Sequence, residues 1–133
     1  MLDVKKKFLF LTLLLVVSLT TACSNNPQSA QKKIDKIAQD MKAKLPQMLD
    51  SDTKLVNVFT RKLELVSEYE LVKYKPTETD NQQIKNKIEL YLKKQVCPGI
   101  KKQLLSNGVS SRYIYTGNDG QIIGDWLISP GDC

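Results

Sequence analysis

Leu63-Glu64-Leu65-Val66-Ser67-Glu68-Tyr69-Glu70-Leu71 decides the fold. Leu63, Leu65, Ser67, Tyr69 and Leu71 fall on one side of a period-two repeat, and Glu64, Val66, Glu68 and Glu70 on the other. Successive strand side chains point to opposite faces, so the repeat predicts a strand with one buried and one wet face, as in an antiparallel sheet.

Upstream, residues 53–59 read as a partner strand, joined through a tight turn at Thr60-Arg61-Lys62 into a first hairpin. Before it, Ile34, Ile37, Ala38, Met41 and Leu45 recur at helical spacing, and Pro46 ends that helix by disfavouring the helical conformation at Leu45. Downstream, a loop holding Pro76 leads to Asp80, a good N-cap with Gln83 in the capping-box position. The helix it opens carries Ile84, Ile88, Tyr91, Leu92 and Val96 on one stripe, and Cys97-Pro98-Gly99 interrupts it. A short helical continuation stops at Asn107-Gly108, a C-cap signal. Residues 109–116 and 121–129, joined by Gly117-Asn118-Asp119-Gly120, predict a second hairpin. The expected fold is α+β in the order α-β-β-α-β-β. Two hairpins would join into one antiparallel four-stranded sheet with the helices on one face.

A length of 133 residues allows one domain. Ahead of that domain, Lys5, Lys6 and Lys7 precede an apolar run over 8–19, and Thr20-Thr21-Ala22 leads into Cys23. The run is short of the roughly 20 residues a membrane-spanning helix needs, so an export signal is the better reading. Small residues directly before a Cys resemble the lipobox of bacterial lipoproteins. That resemblance implies cleavage after Ala22, a diacylglyceryl group on the Cys23 thiol and acylation of the new amino terminus by a fatty acid such as palmitate. Ser24, standing where Asp would retain the protein at the inner membrane, implies the outer membrane, with the domain facing the periplasm. The alternative is an ordinary secretory signal with Cys23 an unpaired thiol. The expected division is residues 1–22 as signal, 23–30 as lipidated Cys and tether, and 31–133 as one periplasmic domain. Removing 1–22 takes away three Lys and Asp3 and leaves a net charge of +4, a mild excess that names no partner.

With Cys23 set aside, Cys97 and Cys133 remain as an even pair in an oxidising compartment, which predicts a disulfide. A two-Cys metal site would need other ligands in a chain without His, and the spacing is not C-x-x-C.

The sequence argues against an enzyme. There is no His to serve as general base, and both kinds of Cys are otherwise engaged. Glu68 with Glu70, and Asp119 with Asp125, read as a solvated charge row and turn chemistry. No phosphate-binding glycine loop is present, and Gly117-Asn118-Asp119-Gly120 lacks the carboxylates of a calcium loop. No cofactor, metal or small-molecule substrate is expected. Lysines crowd both helical regions, among them Lys32, Lys33, Lys36, Lys94, Lys101 and Lys102. In a lipid-anchored periplasmic protein these read as soluble helix faces or as contacts to anionic lipid head groups rather than as a nucleic-acid site.

The last strand is the most suggestive segment. Ile122, Trp126 and Ile128 lie on one face with Gly124, while Ile123 and Leu127 share the other with Asp125. A strand apolar on both faces is either covered twice or presents a docking surface. Ile122, Trp126 and Tyr115 are therefore candidate partner-binding residues, with core packing the competing reading.

The whole layout resembles the AspS-type pilotins of type II secretion and related small lipoproteins. The resemblance rests on the lipobox, a helix ending at Leu45-Pro46, Gln95-Val96-Cys97 late in the second helix, Asn107-Gly108-Val109 before the third strand, and Gly131-Asp132-Cys133 closing the chain. It implies a helix-flanked sheet with one disulfide. It also implies an assembly factor that carries an outer-membrane secretin subunit by holding a helical segment of it in a groove. The alternatives are an inhibitor or exclusion lipoprotein acting against an incoming enzyme, phage or plasmid, and a structural envelope lipoprotein.

Overall fold

The computed structural model describes residues 26–76 and 81–133. The expected signal segment, Cys23 and the Asp80 cap lie outside the described residues.

Helix α1, Pro27–Lys42, opens with the Asn26 side chain accepting a hydrogen bond from the Gln28 amide and with Pro27 in the first turn, where no amide donor is missed. It therefore begins inside the expected tether, of which residues 27–30 are helical. Ala30, Ile34 and Ala38, four residues apart, are buried against the sheet, with Ile37 and Met41 beside them. Thr60 Oγ1 donates to Asp35 Oδ1 at 2.6 Å and fastens the helix to the neighbouring strand.

The sheet has five strands in sequence order: β1 Gln47–Met48, β2 Thr53–Thr60, β3 Glu64–Leu71, β4 Ser110–Gly117 and β5 Ile122–Ile128. β1 is a two-residue strand absent from the expectation. A larger correction concerns direction, because β3 and β4 run parallel while every other neighbouring pair is antiparallel. The two hairpins thus meet through a crossover rather than through antiparallel edges. The connection contains α2 (Asn81–Tyr91), a π-helical turn (Leu92–Val96), α3 (Cys97–Gln103) and a 3₁₀ turn (Leu105–Asn107). A helical connection of this length is what parallel neighbours require.

The alternation in β3 holds. Leu65 and Ser67 are buried on the helix side, where Tyr69 and Leu71 also pack. Val66 on the opposite side is nevertheless fully enclosed, with Phe59 and Arg112 its register neighbours. Both helical stretches pack on one face, as expected. The α1 residues meet Leu55, Val58 and Leu65, and the α2–α3 residues meet Tyr113, Tyr115, Ile123 and Ile128.

Pro98 does not break the second helix. It sits in the first turn of α3, and the irregularity lies just upstream in the π-turn, where the Cys97 amide donates to the Leu92 carbonyl five residues back. The inserted residue brings Leu92 and Cys97 to the same buried side, although α-helical spacing would have separated them. Cys97 there forms the disulfide with Cys133, with Cα atoms 5.7 Å apart.

Candidate functional site

Between the second helix and the sheet lies a groove of about 510 Å³. Its floor is aromatic. In the parallel register Tyr69 lies beside Tyr115 and Ser67 beside Tyr113, so three tyrosines from two strands share one face. The Tyr69 and Tyr115 ring centroids are 4.8 Å apart and stacked, and Tyr69 and Tyr113 follow at 6.2 Å. One wall is helical, made by Ile84, Ile88, Tyr91 and Val96. The other comes from Leu49, Asp50, Thr53 and Leu71, where the chain turns from β1 into β2. Leu49 is 51% exposed and Tyr91 53%, so the groove opens to solvent between two apolar lips. Among the described residues only Asp50 and Lys87 bring charge to it, and the Asp50 carboxylate already accepts from the Asp52 and Thr53 amides, both at 2.7 Å. An apolar concavity with few polar groups binds by shape and burial of apolar surface, and nothing in it is arranged as nucleophile and base.

Burial raises all three floor phenols above their ordinary value, Tyr69 to about 12, with neighbouring phenols, Tyr91 among them, adding to the effect for each. A phenol raised in the folded state contributes stability that is complete below its unfolded value near 10. That stability is lost as pH climbs toward 12. For Tyr69 the loss is roughly 2–3 kcal/mol. Urea unfolding between about pH 8 and about pH 12 should therefore show the wild type weakening, with Tyr69→Phe following a shallower slope. Equal slopes would mean that the floor phenols do not govern the alkaline limb.

The structure keeps two of the three candidate binding residues of the C-terminal hairpin together and sets the third apart. Tyr115 is on the groove floor. Trp126 meets it edge-on at 5.9 Å, with planes at 82°, from the neighbouring strand β5 on the same face of the sheet. The indole lies over Gly124, where any Cβ would collide with the ring. Trp126 is thus a half-buried brace beside the floor, on the same face of the sheet and packed against the second helical stretch, and does not line the groove. Ile122 is on the opposite face of the sheet and 68% exposed. A β-bulge causes this: pairing runs Tyr115 to Gly124 and then Thr116 to Ile122, so Ile123 is left over and turns into the core. The expected grouping of Ile122 with Trp126 and Ile128 is corrected accordingly, with Ile123 in its place.

The opposite face carries charge. Arg112 Nε donates to Glu64 Oε1 at 2.7 Å and its Nη1 to Asp125 Oδ1 at 2.8 Å, while Arg61 Nη2 reaches Glu64 at 2.8 Å. Burial pushes the Glu64 carboxyl up, but its two guanidinium partners outweigh that and hold it below its ordinary value. Among the described residues, no group of three His, Cys, Asp or Glu side chains could hold a metal ion.

The helical spacing puts Ile84, Ile88, Tyr91, Leu92 and Val96 on one stripe and gives no site role to Leu49, Tyr69 or Tyr113. The usable signal was aromatic: Tyr69, Tyr113 and Tyr115 all stand on inward positions of their strands, and an inward tyrosine needs space or a wet edge for its hydroxyl.

Three solved structures share this fold. The pilotin EpsS of the Vibrio vulnificus type 2 secretion system matches with a TM-score of 0.58 at 16% identity, over 80% of this chain and 94% of that one. A secreted protein of Pseudomonas aeruginosa matches at 0.62 and 14%, over 80% and 95%. The type II secretion pilotin AspS of Vibrio cholerae matches at 0.57 and 12%, over 80% and 94%. The resemblance read from the sequence therefore holds at the level of the fold, and the disulfide is present. No protein-family model matches the sequence, and no curated protein sequence does.

Proposed function

We propose that this chain is a periplasmic lipoprotein, cleaved after Ala22 and anchored to the outer membrane through Cys23, that acts as a pilotin-like assembly factor. Its groove takes the apolar face of an amphipathic helix from an envelope secretion component, and the reading assigns it no catalytic step. The observation that carries this is the groove itself: a tyrosine-floored channel with apolar lips left open, of the kind into which a helix lays its apolar side chains. The fold shared with EpsS and AspS supports the same reading.

The test is photocrosslinking in intact cells from a reactive residue replacing Tyr91 on the lip, with Leu127 on the opposite face as the control position. The expected result is one dominant adduct with an outer-membrane secretion subunit from position 91 and none from position 127. The same adducts from both positions, or none from either, would remove the groove from the mechanism.

A further inference from the structure

The charges of this protein are sorted between its two layers. Helices α1, α2 and α3 with the π-turn hold ten lysines against Asp35, Asp40 and Glu89. Strands β2 to β5 hold only Lys54 and Arg112, against Glu64, Glu68, Glu70 and Asp125. The two layers also differ in how far that charge is neutralised. On the sheet, Arg112 and Arg61 satisfy Glu64 and Asp125, and Lys54 meets Glu70 at 2.9 Å. On the helices, among the described residues, only Lys36 (to Asp40) and Lys93 (to Glu89) have an ion pair. Among the described residues Lys32, Lys94, Lys101 and Lys102 are exposed and have no ion pair, Lys101 at the disulfide end of the layer beside Asp132 and the others away from the buried apolar stripe.

We propose that this lysine-rich side of the helical layer lies on an anionic phospholipid surface. Three observations favour a lipid surface as the occupant. The layer presents lysines and no arginine, that is, compact hydrated point charges suited to a diffuse head-group field rather than the planar fork that pairs carboxylates one to one. The carboxylates on the helices are too few to neutralise that charge. And α1 starts at Pro27, four residues after Cys23, a span of about 14 Å at most when extended. A chain anchored at Cys23 would hold the first lysines of α1 within a short distance of the head groups, where attraction acts over a Debye length of about 8–10 Å. This last argument rests on the lipid anchor proposed above. The groove mouth lies at the seam between the layers, so such an orientation leaves it open to a partner along the membrane.

The experiment uses the full chain as isolated from envelopes, mixed with vesicles of phosphatidylcholine alone or with added phosphatidylglycerol. Flotation reports binding, and amine-reactive labelling read by mass spectrometry reports which lysines are covered. The expected result is flotation with both vesicles. Labelling of Lys32, Lys94, Lys101 and Lys102 should fall about threefold or more only on the anionic ones, with Lys62 and Lys73 unchanged and the protection lost in high salt. Flotation on both with unchanged labelling would overturn the surface and leave the anchor standing. Flotation and protection on anionic vesicles alone would uphold the surface and remove the anchor. No flotation at all overturns both. Protection seen in whole envelopes but not on pure lipid overturns the proposal in favour of an acidic protein.

Discussion

Replacing Cys97 and Cys133 together by Ser should destabilise the domain by about 3–4 kcal/mol, the loop-closure value for a sequence separation of 36. For a domain of this size that is a fall in Tm of roughly 10–20 °C. The expectation follows from where the bond acts. Among the described residues β5 is an edge strand paired with β4 alone, and the bond ties Cys133, just past β5, to the buried helix position Cys97. Approaching the bond, the turn is held by the Ser129 amide donating to Asp132 Oδ2 at 2.6 Å and by Gly131 at φ 97°, a conformation natural to glycine. Trp126 lies in β5, so the loss should also appear as a change in indole fluorescence at lower temperature than the loss of helical signal. Thermal melts of the double variant and of the reduced wild type would check this. A double variant melting within a degree or two of wild type would show that strand pairing and the contacts of Ile123 and Ile128 hold β5 without the bond.

Asp at both lips of the groove, Leu49→Asp with Tyr91→Asp, should weaken capture of the partner roughly hundredfold while leaving the fold intact. Both side chains are half exposed, and surface changes of this kind usually stay within about 0.5 kcal/mol of wild-type stability. In a bound complex, however, they would become buried carboxylates at the rim of an apolar contact, where truncating one good anchor already costs about 2 kcal/mol or more. Affinity for the subunit captured at position 91, measured by titration, separates the two effects. Unchanged affinity alongside unchanged melting would place the partner elsewhere, with the Ile122 and Leu127 face the next surface to alter. Loss of both binding and folding would instead mean that the lips are structural. Leu49→Asn with Tyr91→Gln, neutral replacements of similar size, would then give the measurement of binding alone.

Much of the secondary structure was legible because local signals agreed. The β3 alternation, the three- and four-residue spacing of Ile34, Ala38 and Met41, and the glycine turn at residues 117–120 each have one physical solution. The turn closes as its composition predicts, with Gly120 at φ 78°. The two cysteines were legible for the same kind of reason, since a chain without His and without a C-x-x-C spacing leaves them few other states. Strand direction was not legible. Parallel and antiparallel strands share the same period of two, so nothing in the side chains of β4 says which way it runs past β3. Only the length and helical content of the stretch between them argued for a crossover. The bulge was equally hidden. Ile122-Ile123 reads as an unbroken alternation, and a single extra residue at that point exchanges which of the two faces the core. Of the candidate trio, the bulge sets Ile122 on the opposite face, while Trp126 and Tyr115 stay in contact on one face.

By itself, then, the sequence determined the α+β class, the helix and strand segments other than β1, the buried face of each except at Ile122 and Ile123, and the pairing of Cys97 with Cys133. The segments and faces are set by neighbours within a few residues, and the pairing by the two cysteines left once Cys23 is set aside. Only the tertiary structure decided that β3 and β4 run side by side in one direction. That placement sets Tyr69 against Tyr115 and lets the π-turn aim Tyr91 and Val96 over them. A groove is made of the distances between segments remote in the chain, and such distances follow from how whole elements pack, which no local pattern of residues encodes.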